Sequence, residues 1–375
     1  MKKILILSRA PLDYRGGIPV YCKKIIEEFK LPITCVNYFL NTNNKNILNN
    51  NWFNNFKKEV KEITFPSQFG FHTIYFSLGY FNWLFRNLKN YQYIHYQHPD
   101  PVSALILLFI LNKKQKLITT WHAEVIKKII FFPLIIIDIL ILIKSKNIIV
   151  FTKGHIKSSL ILRRFFMRKL NIIELGVKPV FKKIPIKLIQ KKFKDIKKRG
   201  SLNVIFIGRL VKYKGLDILL ESIKENLLIN QLTIVGDGPL YNELQFQISN
   251  KGLNKKVSII NKATDEIRDE LLLKNDLLIL PSINQSEAYG IVQLEAMTMA
   301  LPVIVSNLNN GVNCLSIHNH SGIHIKPKSK EAIMNSLKYI LIDDNYIRLS
   351  SNAFYRSKEL SLEKTVQKTS SLFNN

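Results

Sequence analysis

Short apolar runs alternate along this chain with stretches whose apolar residues return every three or four positions. ILILS (4–8), YIHYQH (93–98), KLITTWH (116–122) and NIIVFT (147–152) form a first set of runs. LNVIFIG (202–208), LTIVGDG (232–238), VSIINKA (257–263), DLLILPS (276–282) and LPVIVS (301–306) form a second. Runs that are apolar almost throughout and end in Gly, Pro or Ser predict strands buried on both faces. IPVYCKKIIEEF (18–29) and GLDILLESI (215–223) carry helical spacing. A further helix is expected from about Ile291 to Met299. Strand–helix alternation of this kind builds a parallel sheet with helices on both sides.

The two halves open alike. KKILILSRAPLDYRGG and LNVIFIGRLVKYKGLDILLESI both run strand, basic loop, glycine, helix. The expected architecture is therefore α/β, with two Rossmann-like doubly wound domains facing a cleft. Residues 1–180 form the first domain and 181–200 a basic linker. Residues 201–350 form the second domain, and 351–375 a C-terminal helix returning to the first. Ligands of such sheets bind outside the carboxyl ends of the strands. The asparagine-rich patch 41–56 is expected to be a loop with a helix behind it and receives no role.

A chain of 375 residues with 47% apolar content has enough material for two cores. Cys22, Cys35 and Cys314 lie far apart, with no C-x-x-C pair. That speaks against a disulfide framework or a zinc site and suits a reducing cytoplasm. The apolar start MKKILIL is too short for a signal peptide and reads as a first strand.

The net charge of +28 is unevenly placed. Residues 1–200 carry 36 Lys and Arg against 10 Asp and Glu, whereas 201–375 carry 19 against 17. A lysine-rich composition would load both halves equally, so the first half is expected to meet something anionic. No nucleic-acid module is recognisable, which leaves an acidic membrane surface. Ile129–Ile143 is intensely apolar, but it has 15 residues and contains Pro133 and Asp138. A crossing needs about 20 apolar residues. Two readings stay open: a buried core helix, or a helix lying on an anionic leaflet with Lys127, Lys128, Lys144 and Lys146 at its ends. The basic run 163–199 reads equally as a solvated linker.

Several loops carry phosphate-binding equipment. GRLVKYKG sets Gly208, Arg209 and Lys214 directly after a strand. Arg grips phosphate bidentately and Lys supplies a mobile point charge. Gly16 and Gly17 offer backbone N–H groups from the first domain, and Gly236 lies in another strand-end turn. Singly, each is an ordinary turn. No P-loop is present, and GDGP lacks the third glycine of a dinucleotide fingerprint. In QSEAYGIVQLEAM, Glu287 and Glu295 stand eight positions apart around Gly290. Gly290 falls at a helix entrance, where free N–H groups meet anions.

FIGRLVKYKGLDILLESI, LTIVGDGPLYNEL and SEAYGIVQLEAMTMALPVIVS resemble, in order and spacing, the donor-binding half of family 4 glycosyltransferases of the GT-B fold. The match spans about 203–312. The resemblance implies that Glu295 holds the ribose hydroxyls of a nucleotide sugar and that Glu287 contacts the transferred sugar. Amides near Gly290 and Ile291 would meet phosphate and sugar, and Arg209 and Lys214 would neutralise the diphosphate. In the first half, the RGG of 15–17 resembles the family's glycine loop. YIHYQHPDP and TTWHAEVIKK resemble a branch that builds bacterial surface polysaccharides, with His122 matching the histidine beside the transferred sugar. His95 and His98 read as structural residues of a strand and a turn. Two departures stand out: Ala300 where relatives carry Gly, and NCLSIHNHSG after Val312.

The resemblance implies a retaining hexosyltransferase. The absence of a DxD triplet argues against a metal-dependent GT-A enzyme, so no metal site and no cofactor are expected. Arg209, Lys214 and helix-end amides would then stabilise the leaving group. The donor favoured is GDP-mannose, with a UDP-sugar as rival, and the acceptor a lipid-linked glycan. The enzyme would be cytoplasmic, peripheral at the inner face of the plasma membrane. A non-catalytic membrane scaffold that kept the fold is the alternative from another class.

Overall fold

The computed structural model describes residues 3–12, 17–29, 32–39, 60–71, 74–122, 132–224 and 227–373. Gly16, Lys127, Lys128 and the patch 41–56 lie outside the described residues. The chain divides into two compact units, Met1–Leu175 with Leu362–Asn375, and Gly176–Ser361.

Among the described residues the first unit holds nine strands: β1 (Ile4–Ser8), β2 (Ile33–Phe39), β3 (Val60–Pro66), β4 (Phe69–Phe71), β5 (Ile74–Phe76), β6 (Tyr93–His98), β7 (Lys116–Trp121), β8 (Asn147–Val150) and β9 (Leu170–Ile172). Seven form one sheet in the order β3-β2-β1-β6-β7-β8-β9, parallel throughout. β4 and β5 pair separately as an antiparallel hairpin. The second unit has β10 (Leu202–Ile207), β11 (Ile229–Val235), β12 (Val257–Ile260), β13 (Leu277–Leu280), β14 (Val303–Ser306) and β15 (Ile323–Ile325). They pair in parallel in the order β12-β11-β10-β13-β14-β15. Both sheets therefore reverse direction once, between β1 and β6 and between β10 and β13.

β1, β6, β13 and β14 are buried at every position, as central strands covered on both faces must be, and β6 buries His95, Gln97 and His98 along with its apolar residues. Helix starts are set locally. Ser77 caps the helix Leu78–Asn87 by accepting from Tyr80 N at 3.3 Å. Asp100 caps Pro101–Ile110, with Pro101 at a position where its missing N–H costs nothing.

The stretch expected as a basic linker is something else. Residues Ile186–Arg199 form a helix of the second unit. Ile189, Phe193 and Ile196 repeat at helical spacing beneath the lysines, with Ile189 and Ile196 in the core, and Ile186 continues the repeat at the exposed helix start. Even its cations are used: Lys192 donates to the Asn275 carbonyl, and Arg199 pairs with Asp276 at 2.5 Å. Burial, partly offset by Asp276, pushes the Lys192 ammonium down to about 8. At the far end, Asn345–Glu359 stays with the second unit through Tyr346, Leu349, Ala353 and Phe354. Only Leu362–Asn375 belongs to the first unit. There Phe373 stands edge-on to Phe29 at 5.3 Å, and Thr365 bonds the Glu174 carbonyl at 2.7 Å.

Candidate functional site

The loops that leave β10 and β13 flank the point where the second sheet reverses, the place where open α/β sheets leave a crevice. From β10 come Gly208, exposed Arg209 and, six residues after Gly208, Lys214. From β13 come Ser282, Glu287 and Gly290. Lys214 and Glu287 are both buried and form an ion pair. Ser282 Oγ donates to the same Glu287 carboxylate oxygen at 3.0 Å, and Asn310 Nδ2 donates to the Glu287 backbone carbonyl at 2.6 Å. Burial alone would pull the Lys214 ammonium down. Glu287 and the Tyr213 hydroxyl outweigh it and hold its pKa above the ordinary lysine value.

The surrounding backbone is equally close. A Cβ on Gly208 would lie 3.3 Å from Lys214 Nζ. At Gly236, on the β11 end, a Cβ would stand 1.9 Å from the Gly208 carbonyl oxygen, so only glycine lets these two turns meet. Gly290 takes φ +67° immediately before the helix Ile291–Thr298, a conformation that L side chains rarely adopt. Its Cβ position lies 3.8 Å from Glu287 Oε1. The helix entrance, whose first N–H groups have no intrahelical acceptor, is thus beside the ion pair. Arg209 shares the same field. Burial raises the Tyr213 hydroxyl pKa, Lys214 and Arg209 both oppose that rise, and Glu287 adds to it.

Glu295 sits on the helix behind Gly290 with its side chain 12% exposed. Its Oε1 is 3.9 Å from Arg268 Nη1, and Arg268 also pairs with Asp265 at 2.8 Å and Asp269 at 2.7 Å. Desolvation acts to lower the Arg268 pKa, but Glu295 and the two aspartates leave it raised. Sequence reasoning found Gly208, Lys214, Glu287, Gly290 and Glu295. It missed Ser282, Asn310 and Arg268. The first ends an obvious strand and was readable; the other two arrive from 23 positions after Glu287, whose backbone carbonyl Asn310 binds, and 27 positions before Glu295, whose carboxylate Arg268 faces.

In the first unit, Gly17 opens the helix Gly17–Glu28, with nothing within 4 Å of its Cβ position. His122 follows β7, is buried, and has its Nε2 2.8 Å from the Gln97 side-chain oxygen. Its ring lies edge-on between Tyr21 and Phe151, each 5.1 Å away. Burial first, then His95, His155 and His98, hold its pKa well below the ordinary value, so the ring is neutral and Nε2–H donates to Gln97. His95 is tied to Thr120 at 2.7 Å, and His98 stacks on Trp121 at 3.6 Å with Asp138 3.1 Å away. Both make internal contacts within the unit. Among the described residues no group of His, Cys, Asp and Glu is arranged to hold a metal ion.

Residues 189–356 match the family model described as Glycosyl transferases group 1. The chain is 26% identical over 265 residues to D-rhamnosyltransferase WbpZ of Pseudomonas aeruginosa, covering 71% of this chain and 68% of that protein. It is 24% identical over 258 residues to O-antigen chain mannosyltransferase C of Escherichia coli, covering 68% and 67%. Among solved structures, Anabaena Alr3699/HepE in complex with UDP and glucose superposes over 100% of both chains with a TM-score of 0.78 at 18% identity. Two parallel Rossmann-like sheets of this order are the GT-B fold. Residues 189–356, within the second unit, carry a group 1 glycosyltransferase domain, and the relatives that match beyond it are glycosyltransferases.

Proposed function

We propose that the protein transfers a hexosyl group from a nucleotide sugar to a lipid-linked glycan in the assembly of a cell-surface polysaccharide, at the inner face of the membrane. One observation carries the donor half of this reading: the buried Lys214 ammonium, paired with Glu287, stands against Gly208 and the Gly290 helix entrance at the reversal point of the second sheet. Such a cation offsets the charge of a departing diphosphate, with Arg209 supplying a second, mobile charge from the surface. The acceptor preference is supported by the O-antigen mannosyltransferase and rhamnosyltransferase relatives. GDP-mannose is the first donor to test. The UDP held by the structural neighbour keeps a UDP-sugar as its rival.

The reaction proposed proceeds with retention and without a metal. The acceptor O–H attacks the anomeric carbon from the face that the leaving group vacates. The bond from that carbon to the phosphate oxygen breaks, and the phosphate takes the acceptor's proton, so no separate base is required. Glu287 is the proposed contact to the transferred sugar, and the first unit's His122 keeps its expected role as a hydrogen-bonding group rather than an acid. Glu295 is the proposed holder of the ribose hydroxyls.

Incubating the protein with a panel of nucleotide sugars and a lipid-linked acceptor tests the reading. One donor is expected to yield glycosylated lipid whose anomeric proton coupling matches the donor's. A product of inverted configuration, or none from any donor, would remove it. Glu295→Ala is expected to weaken donor binding by about 1.5–3 kcal/mol, roughly 10–100-fold, for loss of charged hydrogen bonds.

Arg268 is the positioning residue for that carboxylate. Arg268→Gln is expected to weaken ribonucleoside diphosphate binding by about 1 kcal/mol, roughly five-fold. The affinity of the 2′,3′-dideoxy analogue should not change. Equal loss for both ligands would show that Arg268 acts on the fold and not through the ribose.

A further inference from the structure

Among the described residues, the helices Leu78–Asn87, Pro101–Ile110, Phe132–Lys144 and Leu160–Phe165 pack on one core of the first unit's sheet. Their inner residues, among them Tyr80, Leu84, Leu107, Ile141, Leu142 and Leu162, share a single core with Leu5, Leu7, Ile94 and Ile148 of the strands. The outer faces of the first three are largely apolar as well, and the fourth exposes Leu160 and Phe165 beside Arg163 and Arg164. Phe85 is 65% exposed, Phe109 81% and Phe165 66%, and Ile136, Leu140 and Ile143 are exposed on the third helix. Phe81 and Phe85, one turn apart, stack on each other at 6.3 Å in the open. A helix that is apolar on both faces needs a second apolar neighbour.

The charge around this layer has one sign. Among the described residues of 78–172 the only carboxylates are Asp100 and Asp138, and both are buried. The same stretch carries thirteen Lys and Arg. They gather where the helices end: Arg86 and Lys89, Lys113 and Lys114, Lys144 and Lys146, Arg163, Arg164 and Arg168. Lys144 Nζ bonds the Leu108 carbonyl at 2.6 Å and Lys169 Nζ the Ile143 carbonyl at 2.6 Å, joining neighbouring helix ends into one rim. No helix among the described residues is long and apolar enough to cross a membrane.

We infer that this helical layer docks on an anionic lipid surface, its exposed Phe, Ile and Leu side chains entering the headgroup boundary and the cationic rim meeting lipid phosphates. The inference rests on the lipid-linked acceptor proposed above and assigns the surface that meets the lipid. It extends the single apolar helix that the sequence offered to all four helices of the layer. Charge complementarity selects this occupant. A second copy of the chain would bring an identical cationic rim against the first and be repelled, whereas acidic headgroups neutralise it.

Sedimentation with phosphatidylcholine vesicles, with and without phosphatidylglycerol, tests the assignment on the full chain. Binding is expected only with phosphatidylglycerol, and it should fall as salt rises. The triple variant Phe85→Ser, Phe109→Ser, Phe165→Ser removes only exposed side chains and should lower partitioning by roughly ten-fold or more. Nucleotide binding, measured without vesicles, should not change. Undiminished binding by the triple variant, or no binding to either vesicle, would overturn the inference. So would a wild-type dimer in light scattering that the variant converts to monomer, because the face would then join two copies. Vesicle binding without any nucleotide-sugar affinity would leave the surface standing and defeat the enzymatic reading instead.

Discussion

Lys214→Ala is expected to cost turnover at least 100-fold and, separately, to destabilise the second unit by about 3–5 kcal/mol. The second effect follows from leaving the buried Glu287 carboxylate without its cation. The first follows from losing the charge that offsets the leaving diphosphate, for which removal of a comparable stabilising group costs about 100- to 1000-fold. The two effects separate in the double variant Lys214→Ala, Glu287→Gln. Neutralising the carboxylate should restore most of the lost stability, because Ser282 and the Gly290 turn still surround an amide of nearly the same shape. Nucleoside diphosphate affinity, in which Glu287 has no proposed part, should stay low. Denaturant titration and nucleoside diphosphate binding on the three proteins decide the matter. Recovery of binding together with stability would mean that Lys214 serves only the fold.

The first unit is expected to lose about 3 kcal/mol of stability between pH 7.5 and 5.5 through the buried His95 and His155, with His122 acting in the same direction. His95 is pulled down to about 3 by burial, His155 to about 4 by burial that outweighs a hydrogen bond with the His122 backbone, and His122 lies well below its ordinary value. In the unfolded chain each returns to about 6.5. Below that pH the unfolded state takes up protons that the folded state refuses. Stability is therefore complete above about pH 6.5 and falls as pH drops toward the folded values, at up to about 1.4 kcal/mol per pH unit for each ring. Asp100, held above the usual carboxylate range by burial, works in the opposite direction. The histidine contribution is best read from the difference between wild type and His155→Gln, whose slope should be shallower by one proton. Equal slopes would contradict the assignment of neutral, buried rings.

The second unit was the more legible half. Its strands β10, β11 and β13 are mainly apolar runs followed by Gly or Pro-Ser, and the site residues stand on the loops at those ends, so chain order and spatial order nearly coincide. The helix expected from Ile291 begins there and ends one residue earlier than expected, at Thr298. The helix Ile186–Arg199 was hidden by composition: lysine occupies so many of its positions that the repeat of Ile186, Ile189, Phe193 and Ile196 passes for background. Arg268 was hidden for another reason. Its approach to Glu295 depends on how two helices pack, which the spacing within either helix does not encode. The apolar segment ending at Lys144 was open to two readings, buried or interfacial. The described part is buried through Asp138, Ile141 and Leu142 and exposed through Ile136, Leu140 and Ile143.

Calorimetric titration of GDP and UDP into the wild type, Lys214→Ala and Glu295→Ala proteins tests the central claim most directly. One nucleoside diphosphate should bind the wild type with a single site, and each substitution should weaken it by roughly ten-fold or more. Absence of binding by either nucleotide, or binding that ignores both substitutions, would place the donor elsewhere and contradict the account.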